Sequence, residues 1–312
     1  HCGEPLKGLN AAHMIAEIAA RIDMNTDLVT EDFGLSSAPP AVQQMCDLKT
    51  TYDVSLPSLA ALCVNLLFLG GGQTTERAIQ RLRTICEEAV ASVMMKYESS
   101  CAFAMQRGLL PEAEKLRGTP RVLLLSELEA MAAAKNDDFP AWKTAQAQLL
   151  REKIEQGELT LQNASIQYIQ RVLECSGEEE PMVVIGIAPP YYPAVCNAYL
   201  PADGSDIAEK VRAVVEGSYH MQLSVIPYFT GIGDGSYMTC TAPAQERALL
   251  TNLMSLPASI YDIPFESAAR LNAPVFYLGP RCRAIHQWCE RVYLPDLVEI
   301  VPHIIDHILG LW

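Results

Sequence analysis

The chain has 312 residues, of which 50% are hydrophobic and 19% are charged. At ~100–200 residues per domain, that length and apolar content predict two globular domains rather than a disordered chain. The formal net charge of -14 opposes binding to nucleic-acid phosphates and to anionic membranes, so neither is an expected partner.

Cysteine usage and the absence of a recognisable targeting signal favour a cytoplasmic protein. The ten cysteines are scattered and include no C-x-x-C pair, which is typical of reduced, mostly buried thiols. We recognise no secretory signal peptide. The charge-free stretch 54–75 contains Pro57 and three consecutive glycines, so it predicts a buried strand rather than a membrane span.

Residues 1–128 are predicted to form an α+β unit. Its predicted elements are a helix over 7–22, a loop-like segment over 24–46, strands over 51–54 and 59–69, a long helix over 75–104 capped by Thr74, and a strand over 121–125. This order is ferredoxin-like if one further strand precedes it.

Residues 129–312 are predicted to form an α/β unit. Its predicted elements are a mostly helical segment to residue 174 with a break at Pro140, strands over 182–187, 222–226 and 275–278, and helices over 207–215, 244–254 and 294–311. Short apolar strands that alternate with helices indicate a covered, largely parallel sheet.

His286 is the first candidate site residue. It follows the strand predicted at 275–278, and α/β folds place their sites in loops beyond the carboxyl ends of parallel strands. Glu290, four residues on, is placed to orient the imidazole, as carboxylates do for metal-bound histidines. The alternative is a histidine on a helix surface that pairs with Glu290.

Two further loops follow predicted strands. The run 228–237 has three glycines in five residues, which allows close approach of a ligand, and Asp234 is its polar anchor. The alternative is a turn in which Asp234 bonds its own backbone. The rigid aromatic run 188–193 places Tyr191 and Tyr192 either in a pocket wall or in a turn that only ends the strand.

The sequence gives less support to a zinc-binding histidine pair and to a serine-hydrolase site. His303 and His307 lie four residues apart, but they fall opposite the apolar face of their predicted helix, so a solvated face is expected rather than a zinc pair. No G-x-S-x-G elbow occurs, so a serine hydrolase has no support.

Three stretches resemble one family of zinc-dependent aminoacylases, desuccinylases and glutamate carboxypeptidases. HCGEPLKGLNA at 1–11 resembles the lid-domain motif H-x-G-x-P-x-x-G-x-N-A. GPRCRAIHQWCERV at 279–292 resembles G-x(6)-H-x-x-x-E-x-V, and the loop 231–235 is similar to a G-G-T-D loop. The runs at 47–52, 188–193 and 228–237 further resemble arginine-utilization members of this family.

The resemblance implies a fold and an activity. The fold would be the α/β catalytic portion of a zinc peptidase (phosphorylase/hydrolase-like) over 129–312, plus a ferredoxin-like lid and dimerisation domain over 1–128. The activity would be dizinc hydrolysis of an amide bond in a short peptide or N-acyl amino acid, within arginine or amino-acid catabolism.

The resemblance also implies residue roles. His286 would be a metal ligand with Glu290 beside it, and Asp234 would lie in the loop beside the metal centre. Apart from the resemblance, Asp234, Tyr191 and Tyr192 are the candidate substrate-binding residues. His1 would reach from the lid into the partner subunit's site and hold the substrate carbonyl oxygen, which implies a homodimer formed through the lids. Asn10 would be a structural helix-start residue.

The sequence departs from the family in one respect. The family's other metal ligands and its general base precede the lid histidine, and the 312 residues begin at that histidine. The second hypothesis is therefore a non-catalytic fragment or pseudoenzyme that acts as a dimerisation or binding module. A third is an unrelated α/β enzyme whose site uses Asp234, Tyr191 and Tyr192.

Overall fold

A computed structural model describes residues 1–50, 52–70, 74–112, 115–116, 118–200, 207–228 and 233–310. The chain divides into a first unit, His1–Tyr191 with Ala242–Ile263, and a second unit, Tyr192–Thr241 with Pro264–Trp312. The boundary predicted at residue 128, and the fold class on both sides of it, stay predictions.

The α-helices and strands are numbered in chain order. The helices are α1 (Ala11–Ile22), α2 (Thr74–Met105), α3 (Leu125–Lys135), α4 (Phe139–Glu155), α5 (Leu161–Ser176), α6 (Ile207–Tyr219), α7 (Ala244–Leu253), α8 (Phe265–Leu271) and α9 (Val301–Leu309). The strands are β1 (Glu31–Asp32), β2 (Leu35–Ser36), β3 (Ala41–Asp47), β4 (Ala60–Asn65), β5 (Arg121–Leu124), β6 (Met182–Ile185), β7 (Cys282–Arg283) and β8 (Arg291–Val292). Within the described ranges, none of these helices is both long and apolar enough to cross a bilayer.

The amino-terminal part of the first unit packs α1 against α2 and against the antiparallel β3–β4 pair. The predicted long helix is confirmed by α2, whose buried residues recur three and four apart, as in Leu82, Cys86 and Ala89. Asn10 caps α1, because its Oδ1 accepts hydrogen bonds from the Ala12 and His13 N–H groups at 2.9 and 3.4 Å.

Two expectations for this region were wrong. The segment predicted as a loop over 24–46 contains β1 and β2 and most of β3, which pairs antiparallel with β4. The alternation along β3 was obscured because the polar Gln44 lies on its more buried face and the apolar Met45 on its exposed face. The strand predicted over 51–54 is not formed at 52–54, where Tyr52 has a φ of 64° and its carbonyl accepts the Ser55 N–H in a turn; residue 51 lies outside the described residues.

The rest of the first unit combines three helices with a parallel strand pair. Helices α3, α4 and α5 share a core that includes Leu128, Leu150 and Tyr168. Pro140, predicted as a helix break, lies in the first turn of α4, where the missing N–H breaks no hydrogen bond. Strands β5 and β6 pair in parallel along four residues each, from Arg121 opposite Met182.

The second unit packs α6 against α9, with Val211 and Val215 facing Ile304 and Ile308. A π-helical turn, Asp296–Ile300, leads into α9. The strands predicted at 222–226 and 275–278 are not formed. At Val275 the reason is visible: the Asn197 amide accepts from the Val275 N–H and donates to the Val275 carbonyl at 2.9 and 2.7 Å, in place of a strand ladder.

Candidate functional site

His286 lies in the connection of a short hairpin in the second unit. Strands β7 and β8 pair antiparallel, with Cys282 opposite Val292 and Arg283 opposite Arg291. His286 has a φ of 61° and an exposed side chain. The histidine therefore stands in a turn and not on a helix surface, and its imidazole is accessible.

Glu290 holds the main chain of this turn. Its Oε2 accepts a hydrogen bond from the His286 backbone N–H at 2.9 Å. The carboxylate thus stabilises the left-handed backbone at His286, a conformation that non-glycine residues adopt at some cost. The structure shows this bond to the main chain and shows none to the ring, so the expected orientation of the imidazole by Glu290 stays a prediction.

An ion pair fixes the base of the hairpin. Asp296 Oδ2 accepts from the backbone N–H and the Nε of Arg281 at 2.9 and 2.7 Å, and its Oδ1 accepts from Nη2 at 2.9 Å. These hydrogen bonds lower the pKa of the Asp296 carboxyl group. The Arg281 guanidinium also lies over the Tyr293 ring, 4.5 Å from its centroid. The Arg281–Asp296 pair therefore joins the start of β7 to the π-helical turn.

The glycine-rich loop is packed by a tyrosine. Residues Asp234–Tyr237 form a 3-10 turn, and the Gly235 N–H donates to the Tyr277 hydroxyl at 2.8 Å. A Cβ at Gly233 or Gly235 would collide with that hydroxyl, so a side chain at either position would require Tyr277 to move. Residues 229–232 and the side chain of Asp234 lie outside what the structure describes.

The two tyrosines of the aromatic run make separate contacts. The Tyr261 hydroxyl accepts from the Tyr191 N–H at 2.9 Å and donates to the Tyr191 carbonyl at 3.0 Å, within the first unit. Tyr192 belongs to the second unit, where its ring lies 5.6 Å from that of Tyr237. The backbone of Tyr191 and the ring of Tyr192 thus each have a partner, and roles in substrate binding stay predictions.

His1 lies in the first unit on an anchored segment. The Cys2 N–H donates to the Val54 carbonyl at 2.8 Å, and the Tyr97 hydroxyl donates to the Leu6 carbonyl at 2.9 Å. The exposed His1 ring accepts the Gly3 N–H at Nδ1, at 3.1 Å. A neutral imidazole that accepts at Nδ1 carries its proton on Nε2. His1 therefore presents a hydrogen-bond donor at Nε2.

The described part of the chain contains no cluster of side chains that could form a metal centre. Among the described residues, no three His, Cys, Asp or Glu side chains are grouped so that they could hold an ion. His303 and His307 are exposed on α9, as predicted, and His303 Nδ1 contacts the Tyr219 hydroxyl at 2.5 Å.

Two features of the structure were missed by the sequence analysis. Arg283 and Arg291 face each other across the hairpin, and the sequence analysis missed them because it did not predict that hairpin. Glu246 on α7 bonds to the Thr75 hydroxyl in the first turn of α2, and burial raises the pKa of its carboxyl group. No sequence pattern links two residues so far apart in the chain.

The chain is similar to two Bacillus subtilis (strain 168) proteins. It is 26% identical over 309 residues to "Uncharacterized protein YqjN", which covers 98% of this chain and 54% of that protein. It is 24% identical over 319 residues to "Protein RocB", with coverage of 98% and 53%. The chain thus spans about half the length of both relatives, and the similarities support a RocB-like relationship. No protein-family model matches the chain, and no solved structure does.

Proposed function

We propose that this chain is part of a RocB-like, zinc-dependent hydrolase that cleaves an amide bond in a short peptide or N-acyl amino acid. The observation that carries the proposal is the accessible imidazole of His286, held in a turn by Glu290, within a chain similar to RocB over 98% of its length. The resemblance of several runs to arginine-utilization proteins favours a role in arginine or amino-acid catabolism.

The described residues by themselves do not fit a zinc centre. Protein zinc sites use three or four protein ligands, whereas His286 belongs to no group of three candidate ligands among the described residues. We therefore assign His286 as one ligand. The other ligands and the general base would come from polypeptide equivalent to the half of YqjN and RocB that this chain does not match.

His1 is proposed to bind the substrate carbonyl oxygen. Its Nδ1 is occupied by the Gly3 N–H, which leaves the Nε2–H as donor, and the segment behind it is anchored by Tyr97. In this proposal the lids form a homodimer, and His1 acts in the site of the partner subunit. Asp234, Tyr191 and Tyr192 are retained as proposed substrate contacts.

Hydrolysis by the natural, full-length protein tests the proposal. A panel of N-acetyl amino acids, N-acetylarginine included, would be assayed for release of acetate, with and without a chelator. We expect activity that the chelator removes and that His286→Ala abolishes, because a metal ligand is lost.

His307→Ala is the matched control, because His307 is also exposed and lies in the same unit, but on α9. It should hydrolyse at the wild-type rate. Unchanged activity of His286→Ala would contradict the proposal. A stable dimer that binds these compounds without cleaving them would favour the binding module instead.

A further inference from the structure

Two arginines of like charge face each other on the hairpin that carries His286. Arg283 and Arg291 are directly opposite in the β7–β8 pair, and both are exposed. Residues directly opposite in an antiparallel pair project from the same face, with Cβ atoms about 4.5–5.5 Å apart. The two guanidinium groups therefore leave one face of the hairpin side by side.

Neither arginine is neutralised by a described acidic side chain. The nearby acids have other partners, since Asp296 binds Arg281 and Glu290 accepts the His286 N–H. Arg291 Nη1 donates to the Cys289 carbonyl at 3.4 Å, and no ion pair of Arg283 or Arg291 is found in the described part of the chain. Like charges directly opposite destabilise a strand pair, so an anion bound between them would relieve the repulsion.

We propose that Arg283 and Arg291 together bind the carboxylate of the substrate. The planar guanidinium group matches a carboxylate through two parallel N–H···O bonds, and two such groups on one face bind it from both sides. The inference rests on the proposed function for its choice of ligand, an N-acyl amino acid with a free carboxylate. It places the recognition of that carboxylate on the same hairpin as His286.

This placement has a consequence for specificity. In a chain of net charge -14, an anionic substrate is repelled by most of the surface, and a local cationic pair supplies the attraction that is needed near His286. Compounds whose carboxylate is converted to an amide should therefore be bound poorly.

Thermal unfolding with three probes tests the site by a readout other than hydrolysis. The probes are N-acetylglycine, its uncharged analogue N-acetylglycinamide, and inorganic phosphate, all at one ionic strength. The variants are the wild type, the double variant Arg283→Gln/Arg291→Gln, and the control Arg270→Gln, which removes an exposed arginine of α8 in the same unit.

We expect N-acetylglycine, at about ten times its Kd, to raise the midpoint by about 2–4 °C in the wild type and in Arg270→Gln. N-acetylglycinamide should not raise the midpoint of either protein. In the double variant, N-acetylglycine should not raise the midpoint either. Four results would each overturn the proposal. They are an equal rise of the midpoint with N-acetylglycine in the double variant, an equal rise with N-acetylglycinamide, a rise with phosphate but not with N-acetylglycine, and no rise with N-acetylglycine in the wild type.

Failure of the carboxylate site and failure of the proposed hydrolase activity can be told apart. A carboxylate-specific shift in a protein that hydrolyses nothing would leave the site standing and refute the hydrolase. In an active protein, the double variant should raise the KM for N-acyl amino acids by about tenfold or more while kcat changes little, because charged hydrogen bonds to the ground state are lost.

Discussion

At the scale of single residues, Tyr168 shows how the helical part of the first unit satisfies a buried polar group. The side chain is fully buried on α5, and its hydroxyl donates to Glu129 Oε1 at 2.5 Å. Lys143 Nζ lies 2.8 Å from both oxygens of the same carboxylate. Burial and the neighbouring carboxylate raise the pKa of Tyr168 far above its ordinary value, so it remains a neutral donor.

Tyr168→Phe should therefore destabilise the protein. The variant keeps the ring but removes a hydrogen bond to a charged acceptor, with an expected loss of about 1.5–3 kcal/mol in the free energy of unfolding. Urea denaturation measures it, and Tyr52→Phe, at an exposed tyrosine, should change nothing. Equal stability of the two variants would refute the network's contribution.

His1 allows a second test at this scale. His1→Ala removes a donor proposed to act on the substrate carbonyl, and loss of such a donor lowers kcat by about 10²–10³-fold. Steady-state kinetics and metal analysis of the full-length protein would measure the effect, and the zinc content should not change. A normal kcat would remove His1 from the site, and a loss of zinc would show that its role was misassigned.

At the scale of elements, the Arg281–Asp296 pair fixes where the hairpin starts. The hydrogen bonds from Arg281 lower the pKa of Asp296 in the folded state below the unfolded value of about 4. The folded state therefore favours the ionised carboxylate. The resulting stability is complete above the unfolded pKa and is lost as the pH falls through the folded pKa.

Asp296→Asn should remove this pH dependence. Thermal midpoints measured from pH 7 down to about pH 3 should fall less steeply for the variant than for the wild type, with a lower midpoint at pH 7. Asp306→Asn, at an exposed aspartate of α9, is the control and should follow the wild-type curve. Parallel curves for Asp296→Asn and the wild type would contradict the assignment.

Elements with a strong local pattern were predictable, and those made by distant contacts were not. The apolar period of α2 and the apolar run at β6 lie where the sequence placed them. The run at 275–278 is as apolar as a strand, but the side chain of Asn197 takes up the backbone groups of Val275, and that contact has no local signal. His286 was singled out first by its place after the strand predicted at 275–278, which is not formed, and then by its motif; it lies in a hairpin that the sequence analysis did not predict.

At the scale of the whole molecule, 98% of the chain aligns with YqjN and with RocB, but the aligned part is only about half of each of those proteins. The proposed activity therefore depends on polypeptide equivalent to the other half. The parallel pair β5–β6 fits this view, because parallel strands usually belong to larger sheets covered on both faces.

The zinc content of the natural, full-length protein shows whether His286 is a metal ligand. Mass spectrometry of the metal would be carried out on the wild type, His286→Ala and His307→Ala after identical purification. We expect bound zinc in the wild type and in His307→Ala, and a clear loss in His286→Ala. Equal zinc in all three proteins, or none in the wild type, would contradict it.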